Sequence, residues 1–337
     1  MGSSSLVIHK NKMEADNFEP LSSLKTAVLF LVYNRPDTTA QVFAAIRKTK
    51  PQRLYVAADG PRNLEGEAEK VAKVKEIATK VDWPCKVETL FQEKNHGCKY
   101  GPKTGISWFF QHEEQGIILE DDCVPHQDFF NYCEILLNRY VDDERVWVIT
   151  GDNFQDDIQR GDGSYYFSCY NHVWGWATWR RAWQKADMDI TFWPEWKKNK
   201  RWKDFWIDPA ARRYWTKIFD RVYKKQLESA WDYPWTASVW YNGGLTVTPN
   251  VNLVSNIGFG PDSTHTTSAD SPLEGMKTEA LGIIRHPSVV TQDIAADRYV
   301  FDHAYGGRWH RFPRSLFRVP RRAATFAYRL LKRSLNL

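Results

Sequence analysis

The apolar positions near the start of the chain fall into short unbroken runs. Ala27 to Val32, inside "TAVLFLVYNRPD", is apolar at every position. That is the pattern of a strand buried on both faces. "YNRPD" breaks the run. Pro36 and Asp37 then open a helix whose stripe is Val42, Phe43 and Ile46. "RLYVAADGP" reads as a second strand and turn, "CKVETLF" as a third strand and "GIILE" as a fourth. Between them, residues 65 to 81 place Val71, Val74, Ile77 and Val81 on one helical face, and "GPKTGISWFFQHEE" reads as another helix. Strand and helix in alternation predict an α/β fold with a parallel sheet and helices on both faces.

Ligands of such sheets bind beyond the carboxyl ends of the strands. Three polar groups stand there: "YNR" after the first strand, "ADG" after the second and "EDD" after the fourth. After "VWVITGDN" the regularity fades. The second half is rich in Trp, Gly and Asn, as in "NHVWGWATWRRAW" and "SAWDYPWTASVWYNGG". No internal repeat and no clear linker appears, so the two halves are expected to share one interface or one fold. The predicted divisions are a loose leader over 1–25, an α/β half over 26–152, a Trp-rich half over 153–305 and a basic tail over 306–337.

Composition changes this picture in three ways. The 337 residues suffice for an ample core. Sixteen Trp and 15% aromatics exceed ordinary core needs, and such residues also line sugar-binding and interface surfaces. The net charge of +5 is uneven: from Arg308 onward there are many Arg and Lys and no Asp or Glu, so the remaining body is slightly acidic. Five cysteines, an odd number without a Cys-x-x-Cys, fit a reducing cytosol better than a disulfide framework. No apolar run approaches the ~20 residues of a membrane span. "MGSSS" reads as an appended leader rather than a secretory signal.

Glu120, Asp121 and Asp122 repel one another, and a divalent cation would relieve them. Hard cations such as magnesium and manganese take oxygen ligands, usually one or two carboxylates plus substrate phosphates. The competing explanation is a solvated acidic turn that caps the next helix, with Asp128 near its start.

"IILEDDCVPHQDFFNYC" resembles the metal-binding segment of GT-A glycosyltransferases, and within them the inverting N-acetylglucosaminyltransferase I type and its bacterial relatives. The resemblance extends patchily over residues 26 to 270. "LVYNRPD" and "VAADG" are similar to the family's two nucleotide-contacting turns, and "VWGWATW" to a segment on the acceptor side. "SAWDYPW" is similar to the stretch that supplies the catalytic base, and "LVSNIGFGPDSTH" to a loop that closes over the donor.

The resemblance implies an inverting hexosyltransferase that uses a nucleotide-sugar, UDP-linked, with a saccharide or lipid-linked acceptor. Asp122 would be the direct ligand of Mn2+ or Mg2+, supported by Glu120 and Asp121 through water or ribose hydroxyls, with His265 as a further metal or phosphate contact. Tyr33, Asn34, Arg35 and Asp59 would contact the nucleotide, since an Asp can accept the imino hydrogen of uracil and an Arg can reach base or phosphate. Asp232 would be the general base that inverting transfer needs opposite the leaving group. Trp231, Tyr233 and Trp235 could desolvate it and stack on sugar rings. Trp174, Gly175 and Trp176 would form part of the acceptor wall. Each has a plainer alternative: surface turn for Arg35, Asp-Gly turn for Asp59, helix cap for Asp232, loop histidine for His265, core packing for the tryptophans. Lys103 is a weaker phosphate candidate.

In the tail, Ala323, Phe326, Ala327, Leu330 and Leu331 share one helical face, while Arg322, Arg329, Lys332 and Arg333 lie mainly on another. That pattern suits an anionic membrane surface, or a helix docked on protein. A cytosolic enzyme, peripheral at the inner membrane face and building surface polysaccharide, is the expectation. A nucleotidyltransferase would call for a glycine-rich phosphate loop that "YNRPD" lacks, and a non-catalytic carbohydrate-binding protein would not need the acids. Nucleic acid is not an expected partner, because the basic residues fit one helix rather than a folded basic face.

Overall fold

The computed structural model describes residues 15–16, 23–227, 230–259, 273–311 and 314. His265, Gly260 and the basic stripe between Arg322 and Arg333 lie outside the described residues. In chain order the first half holds β1 (Ala15–Asp16), β2 (Val28–Val32), α1 (Pro36–Thr49), β3 (Arg53–Ala58), α2 (Glu67–Thr79), β4 (Lys86–Phe91), α3 (Gly97–His112), β5 (Gln115–Glu120), β6 (Cys123–Pro125), α4 (Gln127–Arg139) and β7 (Val146–Thr150). The second half adds β8 (Tyr165–Ser168), β9 (Trp176–Trp179), α5 (Arg180–Trp183), α6 (Trp193–Lys198), α7 (Lys200–Phe205), α8 (Pro209–Tyr223), α9 (Asp232–Tyr241), β10 (Leu245–Pro249), β11 (Val254–Asn256), β12 (Ile284–Arg285) and α10 (Ile294–His303).

Eight strands form one sheet in the order β4-β3-β2-β5-β9-β7-β10-β8. The β4-β3-β2-β5 portion is parallel, as the strand–helix alternation predicts. β9 runs antiparallel between β5 and β7. The fold is therefore α/β, as the sequence pattern predicts, with a large sheet that is mixed rather than wholly parallel. Alternate residues feed two cores. Val28, Phe30, Leu54, Val56, Ile117 and Leu119 pack with Val42, Ile46, Val74 and Phe129 on the side of α1, α2 and α4. Leu29, Leu31, Tyr55, Ala57 and Ile118 pack with Ile106 and Phe109 of α3 and with the tryptophans of the second half. β4 has no fully buried residue, and its edge carries the ion pair Lys86–Glu88 at 3.0 Å, a common protection against edge pairing.

Three boundaries differ from the pattern-based expectation. α3 begins at Gly97 rather than Gly101, because the distant Asp59 carboxylate accepts hydrogen bonds from the His96 and Gly97 amides, each at 2.9 Å. The segment read as a loose leader holds Leu24 fully buried, and its Ala15–Asp16 pairs with Ile284–Arg285, a partner far along the chain. The second half is less irregular than its composition suggests: β8, β9 and β10 complete the same sheet, and α8 starts from an Asp208 side-chain cap.

Candidate active site

β5 ends at Glu120, so Asp121 and Asp122 fall in the turn at the carboxyl edge of the sheet, between the ends of β2 and β9. Both Asp side chains are buried. Arg35, from the turn after β2, spans them: its Nη2 pairs with Asp121, and its Nη1 lies 2.9 Å from Asp122 Oδ2. The Tyr33 amide donates to Asp121 Oδ2 at 3.0 Å. β6 and β11 pair antiparallel just beyond, and the Ile257 amide donates to the Asp122 carbonyl at 2.8 Å. This brings Gly258 against Asp122, where a Cβ would collide with the carboxylate and come within 2.7 Å of Arg35 Nη1.

The acids are not fully compensated. Burial pushes Glu120 up to about 8, with Asp122 and Asp121 adding to the rise and Arg35 opposing it. Burial likewise lifts Asp121 to about 6 despite the Arg35 charge beside it. The Asp232 charge adds a smaller rise to Glu120, so the start of α9 lies within electrostatic reach of the end of β5. Among the described residues no three His, Cys, Asp or Glu side chains converge as a metal cage. The donor set nevertheless fits a hard cation. Such ions are held by one or two carboxylates plus substrate phosphates, and the excess negative charge here is what one would offset.

The turn after β2 is gripped from a second side. Glu67, the first residue of α2 and 4% exposed, accepts from Tyr33 Oη at 2.9 Å and from Asn34 Nδ2 at 2.9 Å. It also accepts from the Arg62 amide at 2.5 Å, from Arg62 Nε at 3.0 Å and from Arg62 Nη2 at 2.5 Å. The Arg62 guanidinium side chain donors hold the Glu67 carboxyl down at about 2, against a burial effect that raises it. Neither Glu67 nor Arg62 was marked by the sequence pattern; an acid opening a helix beyond a strand-end turn is a common cap. Asp59 is engaged as well. Besides His96 and Gly97, its carboxylate accepts from the Gly60 amide at 3.0 Å, so it ties the β3 turn to the start of α3.

Asp232 opens α9 and is half-buried. The aromatic residues separate into two groups. Trp176 is 0% exposed and stacks on Trp231 with ring centroids 5.7 Å apart; Trp183 meets Trp235 at 5.1 Å. Trp176 and Trp231 are thus core residues rather than an open wall, because β9 turns its Trp176 ring under α9. Trp174 stays partly exposed, edge-on to Phe154 at 5.5 Å and to Phe259 at 5.8 Å. Gly175 adopts φ +121°, where a Cβ would press within 2.7 Å of Val254 Cγ2, so its small size lets β9 approach β11. Asp152, after β7, was not anticipated. Its Oδ2 accepts from the Trp174 amide at 3.1 Å. A cavity of about 290 Å³, lined by Lys103, Ser107, Gln111, Trp183 and Met188, contains none of the carboxylates of the β5 edge.

No protein-family model matches the chain. No curated protein matches it either. Solved structures do show a remote likeness. One is the mannosyltransferase PcManGT from Pyrobaculum calidifontis in complex with GDP-Man and Mn2+, at TM-score 0.34 and 11% identity, over 68% of this chain and 78% of that one. Another is HddC from Yersinia pseudotuberculosis, at TM-score 0.28 and 9% identity, over 46% and 77%. A third is a UDP-glucose pyrophosphorylase complexed with UDP-glucose, at TM-score 0.25 and 9% identity, over 43% and 62%. Likeness this remote carries no functional argument, which has to come from the site. No helix of the described residues is long and apolar enough to cross a membrane.

Proposed function

We propose that the protein is an inverting, metal-dependent glycosyltransferase. It would move a sugar from a nucleotide-sugar, UDP-linked, to a hydroxyl of a saccharide or glycolipid acceptor. The observation that carries this reading is the crowding of Glu120, Asp121 and Asp122 at the end of β5, under-compensated by Arg35 and with a fourth carboxylate, Asp232, within electrostatic reach. Carboxylates raised by burial and by one another mark sites where charge is to be received.

A bound divalent cation would neutralise the diphosphate leaving group as its charge develops. Asp122 is the residue to hold it, with Asp121 steadied by Arg35 and by the Tyr33 amide. Arg35 itself bridges the two aspartates, offsets part of their repulsion and fixes the turn after β2 against the end of β5. Asp232 would take the acceptor hydroxyl proton, which frees the oxygen to attack the anomeric carbon on the face opposite the leaving group. Trp174, partly exposed and edge-on to Phe259, would offer a ring face to the acceptor.

The test is a thermal-shift comparison of UDP, GDP, CMP and dTDP, each with and without manganese, on wild type, Asp122→Ala and Asp232→Asn. UDP is expected to stabilise wild type only with the metal, and Asp122→Ala to lose that response. Asp232→Asn should keep it while losing turnover by about 10²-fold or more, the usual contribution of a general base. A folded protein that responds to no nucleotide would overturn the transferase reading in favour of a carbohydrate-binding protein.

A further inference from the structure

The residues after β2 are clamped on two sides. On one side Arg35 and the Tyr33 amide engage Asp121 and Asp122. On the other, the side chains of Tyr33 and Asn34 engage Glu67. The same Glu67 carboxylate grips Arg62 through its amide, Nε and Nη2. Arg62 belongs to the segment between β3 and α2, on the same carboxyl edge of the sheet. Its guanidinium lies 5.8 Å from the centroid of the Tyr33 ring, within cation–π range.

Glu67 and Arg62 differ in one respect that matters. The Glu67 side chain is 5% exposed, whereas that of Arg62 is 53% exposed. An exposed arginine usually spends entropy to hold any one pose. Here a buried carboxylate, itself held by Tyr33 and Asn34, fixes the guanidinium through Nε and Nη2 while about half of the side chain stays exposed. Arg35, by contrast, is drawn down onto two buried carboxylates. Asp59 is occupied with the amides of Gly60, His96 and Gly97. Of Arg35, Asp59 and Arg62, Arg62 is therefore the one both fixed and largely exposed.

We infer that Arg62 is a further donor-binding residue, taking the oxygen acceptors of the nucleotide, and that Glu67 is the positioning residue that presents it while holding the Tyr33–Arg35 turn in register. A fixed planar fork suits the carbonyl edge of a base or the oxygens of a phosphate alike. The inference rests on the nucleotide-sugar reading of the site.

The experiment measures binding of uridine, UMP and UDP to the full chain by calorimetry with manganese present, for wild type, Arg62→Ala, Glu67→Gln and the double variant. Melting temperatures of the free proteins are recorded beside them. Arg62→Ala is expected to weaken UDP about tenfold or more, and to lower the melting temperature of the free protein while leaving it folded at the assay temperature, because the buried Glu67 carboxylate loses its guanidinium partner. Loss that extends to uridine assigns the contact to the nucleoside; loss confined to UMP and UDP assigns it to phosphate. The double variant should bind no more weakly than the weaker single one, since both changes break one unit. In turnover, Arg62→Ala should raise KM for the donor and leave kcat within about twofold, as loss of uniform binding does. If wild type binds UDP and Arg62→Ala binds it equally well, the inference is overturned, whatever Glu67→Gln does. If wild type binds none of the three ligands, the donor-site reading itself fails first, which is a separable result.

Discussion

Asp152 is completely buried, and its Oδ1 meets no hydrogen-bond partner among the described residues. Burial pushes its carboxyl up to about 7, against the Trp174 amide and the Thr150 hydroxyl, which favour the ionised form. The sign follows from linkage. Below the ordinary carboxylate range both folded and unfolded chains hold the proton. Between that range and about pH 7 the unfolded chain loses it first, so stability falls as pH rises through this window. Asp152→Asn removes the group that titrates. Urea unfolding of wild type and variant at pH 4.5 and 7.5 should therefore show a smaller pH dependence in the variant. An unchanged difference would mean that Asp152 is ionised in the folded protein. The chain pattern marked the acids of "EDD" because three in a row are conspicuous. It did not mark Asp152, Glu67 or Arg62, whose importance lies in what surrounds them: "GDN" and "PRN" look like ordinary turns.

At the level of elements, the β6–β11 pair decides how the site is enclosed. Val254 pairs with Pro125 and Asn256 with Cys123, so the two residues after β11 cross directly over Asp122. The Asn256 side chain accepts from the Gly258 amide at 2.8 Å and sets the path of the crossing. Gly258→Ala should force the chain away from the acids. Overpacking of this kind costs about 1–3 kcal/mol. The expected result is a lower melting temperature together with weaker manganese-dependent nucleotide stabilisation. A variant with wild-type values for both would show that the segment yields freely. Strand cores were legible at this scale, since continuous apolar runs such as "VLFLV" and "GIILE" have few alternatives. α4 was legible too: "DFF" places Asp128 in its first turn and Phe129 in the core. The start of α3 was not, because Asp59 caps it from another loop.

For the whole molecule the position of β9 is decisive. It enters from the second half and lies between β5 and β7 of the first, with Ile118 opposite Trp176 and Ile149 opposite Ala177. Without it, β7 has no bond to the rest of the first-half sheet. The tryptophans of α5 and α9 then cover the face that carries Leu29, Tyr55 and Ile118. A chain of residues 26–152 alone should not fold, although its strand–helix pattern reads as a self-contained unit. Circular dichroism and amide exchange of that fragment would check this, and a cooperative unfolding transition would contradict it. The expectation that the halves share one fold agrees with the single sheet, while the Trp-rich stretches supply chiefly core, with Trp174 as a partly exposed exception.

Local order was already written in the chain: where strands run, where helices start after Pro36, and that polar groups gather at one end of the parallel strands. These follow from burial and backbone preference over a few neighbouring residues. Pairing between distant residues was not. That Arg35 would lie between Asp121 and Asp122, that Glu67 would collect Tyr33, Asn34 and Arg62, and that Gly258 would press on Asp122 depend on contacts across many intervening residues. Such contacts are set by how whole layers pack, and a carboxylate in a sequence carries no mark of which guanidinium the folded chain will bring to it.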